Sequence, residues 1–344
     1  MNLTMINTAK KFLPRTSPLT TPVVNPNPSG LDRFVPAADE SKPLVPVLFL
    51  SDLDGTWLSP VEANRRALDE GVVNLKEEAR EKGIDLQFGY ITARPASCRE
   101  KQHLPESDWF VCQNGGIIYD GTGLDADWES QKEELGFKAS RAREIAEGVL
   151  EQPEFQGLQV SSVGEVVANP EADSCPQSAT FCIHNQSVSL ATGERPEQLS
   201  EAAFEAPQQV QHFADQVGQR LKAEGARFHQ SPVYPFHGKP YVMFDMACMD
   251  KGDAVSYLKE KEHIPPEHVI IAGDGGNDIA MMLDQSGHDD GRRAIVVGSN
   301  PKLRQAAQNL QRALLEDPQL DCSLAVLDGV RRHVQAIAVE IGRA

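Results

Sequence analysis

The sequence predicts an α/β protein, a doubly wound parallel sheet into which a smaller α+β domain is inserted. Three observations carry this expectation. Short apolar runs alternate with helical stretches, the pattern of parallel strands joined by crossover helices. Each early or late run ends in a polar or glycine-rich loop, as in Asp52-Leu53-Asp54-Gly55, Thr92-Ala93-Arg94, Asn114-Gly115-Gly116 and Gly273-Asp274-Gly275-Gly276-Asn277-Asp278. Between residues 121 and 246 the alternation gives way to a different order of strands and helices. A chain of 344 residues has room for about two domains.

Taken in order, residues 1–43 predict a disordered arm. Residues 1–31 contain no Asp or Glu, three basic residues (Lys10, Lys11, Arg15) and five prolines. Such a segment buries too little apolar surface to offset its ordering entropy. It has no apolar core of a secretory signal peptide. Its composition suits an export or organelle address, and equally an extension with no addressing role. From Pro43 the pattern changes. Val45–Ser51 reads as a buried strand, 64–82 as a helix, and 86–91 and Trp109–Cys112 as further strands. These open a catalytic core of 44–120 and 247–344.

The insert over 121–246 reads as a helix at 137–151, strands at 159–163 and 179–184, a polar loop at 185–207, a helix at Gln208–Ala223 and a strand at 241–246. The parallel pattern then resumes. It gives a helix at 251–262, a strand at 269–272, the loop 273–278 leading into a helix, a strand at 294–297, a helix at 302–314 and a last helix from Gly329. Trp57 is expected at the junction of core and insert. His184, His229 and His237 show no ligand spacing and read as structural or surface residues.

Composition narrows the function. Fifty acidic against 33 basic residues give a formal charge of −17. That balance argues against a nucleic-acid binder or a protein held on anionic membranes, and no apolar run approaches the roughly 20 residues of a membrane span. The six cysteines are scattered without CxxC or zinc spacing, so they read as reduced, mostly buried thiols in a cytoplasmic setting. Any phosphate ligand needs a local positive site.

Four motifs offer one. Asp52 and Asp54 follow a buried strand, where two carboxylates are costly without a partner and a divalent cation supplies one. Alone, such a pair also fits a loop that happens to hold two acids. Asp274 and Asp278 flank glycines at a strand-to-helix junction; the pattern suits a metal loop, or a plain helix cap. Thr92 and the next N–H offer neutral donors to a phosphoryl oxygen, although a lone Thr there is more often a cap. Lys251 opens a helix, where a cation is disfavoured unless negative charge lies nearby. Arg94 suits an anionic substrate or a carboxylate partner. Asn114 suits substrate contact or the turn before Gly-Gly.

Together, Asp52-Leu53-Asp54-Gly55-Thr56-Trp57, Tyr90-Ile91-Thr92, Asn114-Gly115-Gly116-Ile117-Ile118-Tyr119, Lys251-Gly252 and Gly273–Asp278 resemble, in order and spacing, the signature motifs of the haloacid dehalogenase superfamily. The resemblance spans about 44–344. It is to the subclass with a C2-type (IIB) cap, the sucrose-phosphate phosphatase and Cof-like sugar phosphatase group. Ala93 where many relatives have Gly, Gly275 where Ser or Thr is commoner, and the long link 287–293 depart from the pattern without removing a reacting group.

The resemblance implies a Rossmann-like core and hydrolysis of a phosphorylated sugar through an aspartyl-phosphate. Asp52 would be the nucleophile and Asp54 the general acid and base. Mg²⁺ would be held by Asp52, the Asp54 carbonyl, Asp274 and Asp278. Thr92 and Lys251 would hold the phosphoryl oxygens, with Arg94, Asn114 and Asn277 as further substrate contacts. A phosphomutase, or a secreted or regulatory protein of this fold whose main role is binding, are the alternatives. The oligomeric state stays open.

Overall fold

A computed structural model describes residues 43–343 except 59–60, 103, 174, 186–207, 232, 236–240 and 285. The expected arm (apart from Pro43), the expected polar loop after Asn185, and His237 lie outside the described residues.

The sheet grows outward from the first strand. β1 (Val45–Ser51) is apolar on both faces, as a central parallel strand must be. Its side chains alternate. Val47 and Phe49 join one buried cluster, and Leu48 and Leu50 the other. The chain continues through α1 (Glu62–Glu81), β2 (Ile84–Ile91), α2 (Cys98–Lys101), β3 (Trp109–Cys112), β4 (Ile117–Tyr119) and α3 (Ala126–Glu134).

The chain continues through α4 (Ala139–Leu150), β5 (Leu158–Ser162), α5 (Val163–Val167), β6 (Ser178–Asn185), α6 (Gln208–Ala223), β7 (His229–Gln230), β8 (Tyr234–Pro235) and β9 (Val242–Ala247). The chain returns through α7 (Lys251–Lys261), β10 (Val269–Gly273), α8 (Ile279–Met282), β11 (Arg293–Val296), α9 (Pro301–Gln308), β12 (Ala313–Leu315) and α10 (Cys322–Glu340).

The larger sheet runs β12-β11-β10-β1-β2-β3-β4. Its strands are parallel except β4, which pairs antiparallel with β3. The chain leaves β1 in one direction through β2 and β3, and returns on its other side through β10. The carboxyl end of β1 is therefore the topological switch point, where open α/β sheets bind ligands. The cap has its own antiparallel sheet, β5-β6-β9-β7 with β8 on β9, and its own apolar cluster. There Phe181, Phe213 and Phe244 pack with Val149 and Val217.

Three expectations are corrected. The helix expected over 302–314 stops at Gln308. Its last residues are instead the edge strand β12, with Ala313, Leu314 and Leu315 paired to Ala294, Ile295 and Val296. The last helix begins at Cys322 rather than Gly329, capped by the Asp321 carboxylate accepting from Leu324 N–H. Trp57 does not sit at the junction. It is buried within the core against Phe49, Phe88 and Tyr90, with ring centroids 6.1, 5.2 and 6.0 Å away. The expectation of reduced thiols agrees with the cysteines, which are all free and, apart from half-buried Cys322, buried.

Behind the sheet, His333 of α10 is buried with Nε2 3.3 Å from the Ala294 carbonyl. Burial pushes its pKa down to about 4. As pH falls below the unfolded value of about 6.5, the unfolded chain takes up a proton that the folded one refuses, so this group costs stability. Between pH 6.5 and 4.5 the native protein should lose up to about 1.4 kcal/mol per pH unit relative to His333→Gln. Urea denaturation of both proteins across that range checks it; parallel pH dependence would show that His333 titrates normally.

Candidate active site

The motif residues converge on the end of β1. Asp52 N–H still donates to Ala272 O of β10 at 3.0 Å, so its side chain begins where the sheet stops. The next residues turn tightly, with Thr56, Trp57 and Leu58 N–H all directed at the Leu53 carbonyl. Gly55 has φ +75°, and a methyl group there would collide with the Asp274 carboxylate. Only glycine lets this turn lie against the second acidic loop. Thr56 Oγ1 donates to Asp274 Oδ1 at 2.9 Å and lies 3.4 Å from Asp52 Oδ2.

Lys251 is the first residue of α7. Asp250 and Asp253 cap that helix reciprocally, Asp250 accepting from Asp253 N–H and Asp253 from Asp250 N–H. The lysine ammonium, 1% exposed, donates to Asp52 Oδ1 at 2.6 Å and Asp278 Oδ1 at 2.7 Å. The other oxygen of Asp278 accepts from Asp274 N–H and Gly275 N–H at 3.0 and 2.9 Å. Carboxylate oxygens of Asp52, Asp274 and Asp278 all lie within 4.8 Å of one another.

Three carboxylates thus face one ammonium, and the titration of the groups reflects it. Burial pushes the Asp52 carboxyl up to about 8; Lys251 opposes the shift, and Asp278 and Asp274 add to it. Burial likewise pushes Asp274 up to about 7, with Asp278 reinforcing. Burial works against the Lys251 charge, but Asp278 and Asp52 outweigh it and hold the ammonium above its usual range. This all-oxygen set with surplus negative charge has the donor chemistry of a hard divalent cation.

The remaining expected residues surround this centre. Thr92, fully buried, follows directly on β2; its N–H donates to Val111 O and its Oγ1 accepts from Arg94 N–H. Arg94 forms a fork on Asp54, with Nε to Oδ2 at 2.7 Å and Nη2 to Oδ1 at 2.5 Å. Of the two readings of Arg94, the carboxylate partner is the one seen. The Asp54 side chain is half exposed and stands outside the buried acid cluster.

Asn114 N–H donates to Thr92 O at 2.9 Å. Its side-chain oxygen accepts from Asn277 Nδ2 at 3.3 Å, and its Nδ2 donates to Asp245 Oδ2 at 3.4 Å. Asp245, on β9 of the cap, also accepts from Thr180 Oγ1 at 2.5 Å. A polar line therefore runs from the acidic loop to the cap sheet. No motif in the sequence marks Asp245, Thr180 or the contacts of Thr56. The one available signal was an acid inside the apolar strand Val242–Ala247.

His229 of β7 lies 2.9 Å from Asp253 Oδ2 and 3.6 Å from Asp250 Oδ2. It joins the cap to the start of α7, and His229, Asp250 and Asp253 offer ligand atoms that all lie within 4.8 Å of one another.

Among the described residues, no helix is long and apolar enough to cross a membrane. No curated protein matches the sequence. The solved sucrose-phosphatase of Synechocystis, in complex with sucrose and phosphate, is similar in fold. The TM-score is 0.57 at 19% identity, over 84% of this chain and 98% of that one. A phosphatase of the haloalkanoate enzyme superfamily from Bacteroides thetaiotaomicron aligns with a TM-score of 0.48 at 13% identity, over 88% and 96% of the two chains. The family profile of haloacid dehalogenase-like hydrolases matches residues 49–289, which contain every motif described above, and the chain belongs to that family.

Proposed function

We propose that this hydrolase is a Mg²⁺-dependent phosphatase that cleaves a sugar phosphate through an aspartyl-phosphate. The observation that carries this reading is the Lys251 ammonium set between Asp52 and Asp278, with Asp274 alongside, at the switch point of the sheet. In this reading 44–120 and 247–344 carry the chemistry, and the insert of 121–246 covers it.

The Asp52 carboxylate attacks phosphorus in line, and the bond to the leaving sugar oxygen breaks. Asp54 gives that oxygen a proton, then takes one from the water that hydrolyses the acyl phosphate. An acid two residues after the nucleophile suits an alkoxide leaving group. Arg94 orients Asp54 and adds positive charge for the anionic ester. Thr92 donates to a phosphoryl oxygen without adding charge, and Lys251 screens Asp52 from the incoming dianion. Mg²⁺ would be held by Asp52, the Asp54 carbonyl, Asp274 and Asp278. When bound it would neutralise charge on the transferring phosphoryl group.

The cap supports a hydroxyl-rich leaving group. Asp245 offers carboxylate lone pairs that accept from sugar hydroxyls, and Asn114 and Asn277 offer amides. The Synechocystis relative was solved with sucrose and phosphate, so sucrose 6-phosphate belongs in the substrate panel beside hexose phosphates.

With Mg²⁺ and such a panel, the purified chain should release inorganic phosphate; isomerised sugar phosphate without release would indicate a mutase instead. Asp52→Asn should lower kcat by a factor on the order of 10⁴ with the fold intact by circular dichroism. Near-native turnover by that variant would sink the nucleophile assignment. Exhaustive chelation should abolish activity and Mg²⁺ should restore it, whereas full activity in chelator would remove the metal from the mechanism. Asp245→Asn should raise KM for the sugar ester about tenfold, the loss expected for one charge-assisted hydrogen bond. An unchanged KM would take Asp245 out of substrate recognition.

A further inference from the structure

Lys132 on α3 is a fully buried lysine that the chemistry above does not use. Its ammonium donates to the Gly116 carbonyl and pairs with Glu129 Oε1 at 2.7 Å. Burying an ammonium is costly, and a methionine would fill the same space without that cost. What lysine adds is a donor aimed at one backbone carbonyl. One turn earlier on the same face, Trp128 is also buried, and its Nε1–H donates to Gly115 O at 3.0 Å. Trp128 is in turn fixed by Asp125, which accepts its backbone N–H at 3.0 Å, and by the ring of Tyr257. Two successive carbonyls of one loop are thus gripped by one helix.

That loop needs holding. Gln113, Asn114 and Gly115 have φ values of +50°, +55° and +96°, a left-handed run containing two residues with side chains. Such residues persist only where their surroundings impose the conformation. On the other side, Gly115 lies against the Asp250 backbone so closely that a methyl group would collide with its carbonyl. Asn114 N–H is anchored on Thr92 O. The product of this clamp is the placement of the Asn114 amide between Asn277 and Asp245.

We infer that Lys132 is a positioning residue for substrate recognition: by holding the Gly116 carbonyl it keeps residues 113–115 left-handed, so that the Asn114 amide meets the leaving group. The inference rests on the sugar-phosphatase reading, in which Asn114 contacts substrate. Lys132 acts through the loop, because its ammonium is fully buried and its hydrogen bond ends on the Gly116 carbonyl.

The test is a double-mutant cycle on the full chain with Mg²⁺, using the panel ester of highest kcat/KM. Lys132→Met should raise KM about tenfold, matching Asn114→Ala, with kcat changed by less than about threefold. In the Asn114→Ala background the same substitution should add less than about twofold, because its effect passes through that amide. Effects that multiply, or a lowered melting temperature with unchanged KM, would overturn the inference. If Lys132→Met fails to fold, Trp128→Phe removes only the donor to Gly115 and should show the same coupling.

A second readout does not depend on turnover. The ¹H–¹⁵N signal of the Asn114 side-chain amide, assigned by its loss in Asn114→Ala, should shift in Lys132→Met; an unmoved signal would overturn the inference. If the native protein hydrolyses no ester in the panel, the function reading fails, and the amide signal still decides whether Lys132 sets the loop.

Discussion

The carboxyl end of the sheet is organised by one buried ammonium between two carboxylates. Lys251 at the start of α7 meets Asp52 at the end of β1 and Asp278 at the entry to α8. All three side chains are nearly or wholly buried. Removing the ammonium would leave two buried carboxylates uncompensated, which is far more costly than the net worth of either pair. The contact therefore fixes more than a charge balance. Asp278 spends its second oxygen on the N–H groups of Asp274 and Gly275, so the bend of the acidic loop follows from the same side chain. Asp274 is thereby turned toward Thr56 and the Gly55 turn. Three segments far apart in sequence reach one another only because β1 lies between β10 and β2.

The cap meets this centre through polar contacts. Asp245 reaches Asn114, and His229 reaches the two acids that cap α7. Hydrogen bonds and half-exposed ion pairs of this kind exchange readily with water, whereas an apolar seam would have to expose its surface on opening. A cap joined in this way suits the proposed reaction, in which the site admits an ester, excludes water during transfer and releases a sugar. The same contacts end on residues flanking the chemistry. Asn114 adjoins Thr92, and Asp250 adjoins Lys251.

Much of this was readable from sequence where a single physical cause dominates. β1 is an unbroken apolar run cut off by Asp52, and its predicted bounds match the strand. The bounds of α6 match because Val210, Phe213, Ala214, Val217 and Leu221 recur at helical spacing. The reading failed where tertiary context supplies the order. Residues 313–315 carry no strand signature apart from their neighbour β11. α3 is nine largely polar residues, and its buried pair is a tryptophan and a lysine that no periodicity marks. The carboxylates were visible because acids after an apolar run are chemically conspicuous. The left-handed loop that aims Asn114 was not, because its hold comes from a helix that sequence periodicity does not reveal.

Charge raises a question that the local geometry answers. A protein with a formal charge of −17 repels the anion it is proposed to cleave. That field is screened over about 8–10 Å at physiological salt, so approach is opposed only near the surface. Among the described residues, the carboxylates of Asp52, Asp54, Asp274 and Asp278 pair with Lys251 and Arg94, which leaves two negative charges when all are ionised. Burial is the main cause of the upward shifts of Asp52 and Asp274, and the neighbouring carboxylates add to it. One divalent cation would bring the set to neutrality, and in the proposed reaction the Thr92 hydroxyl and nearby N–H groups would then add donors without adding charge. The acidic surface opposes an anion in proportion to its charge, so in the proposed reaction a phosphate ester is favoured only by the local cation and donors of the site itself.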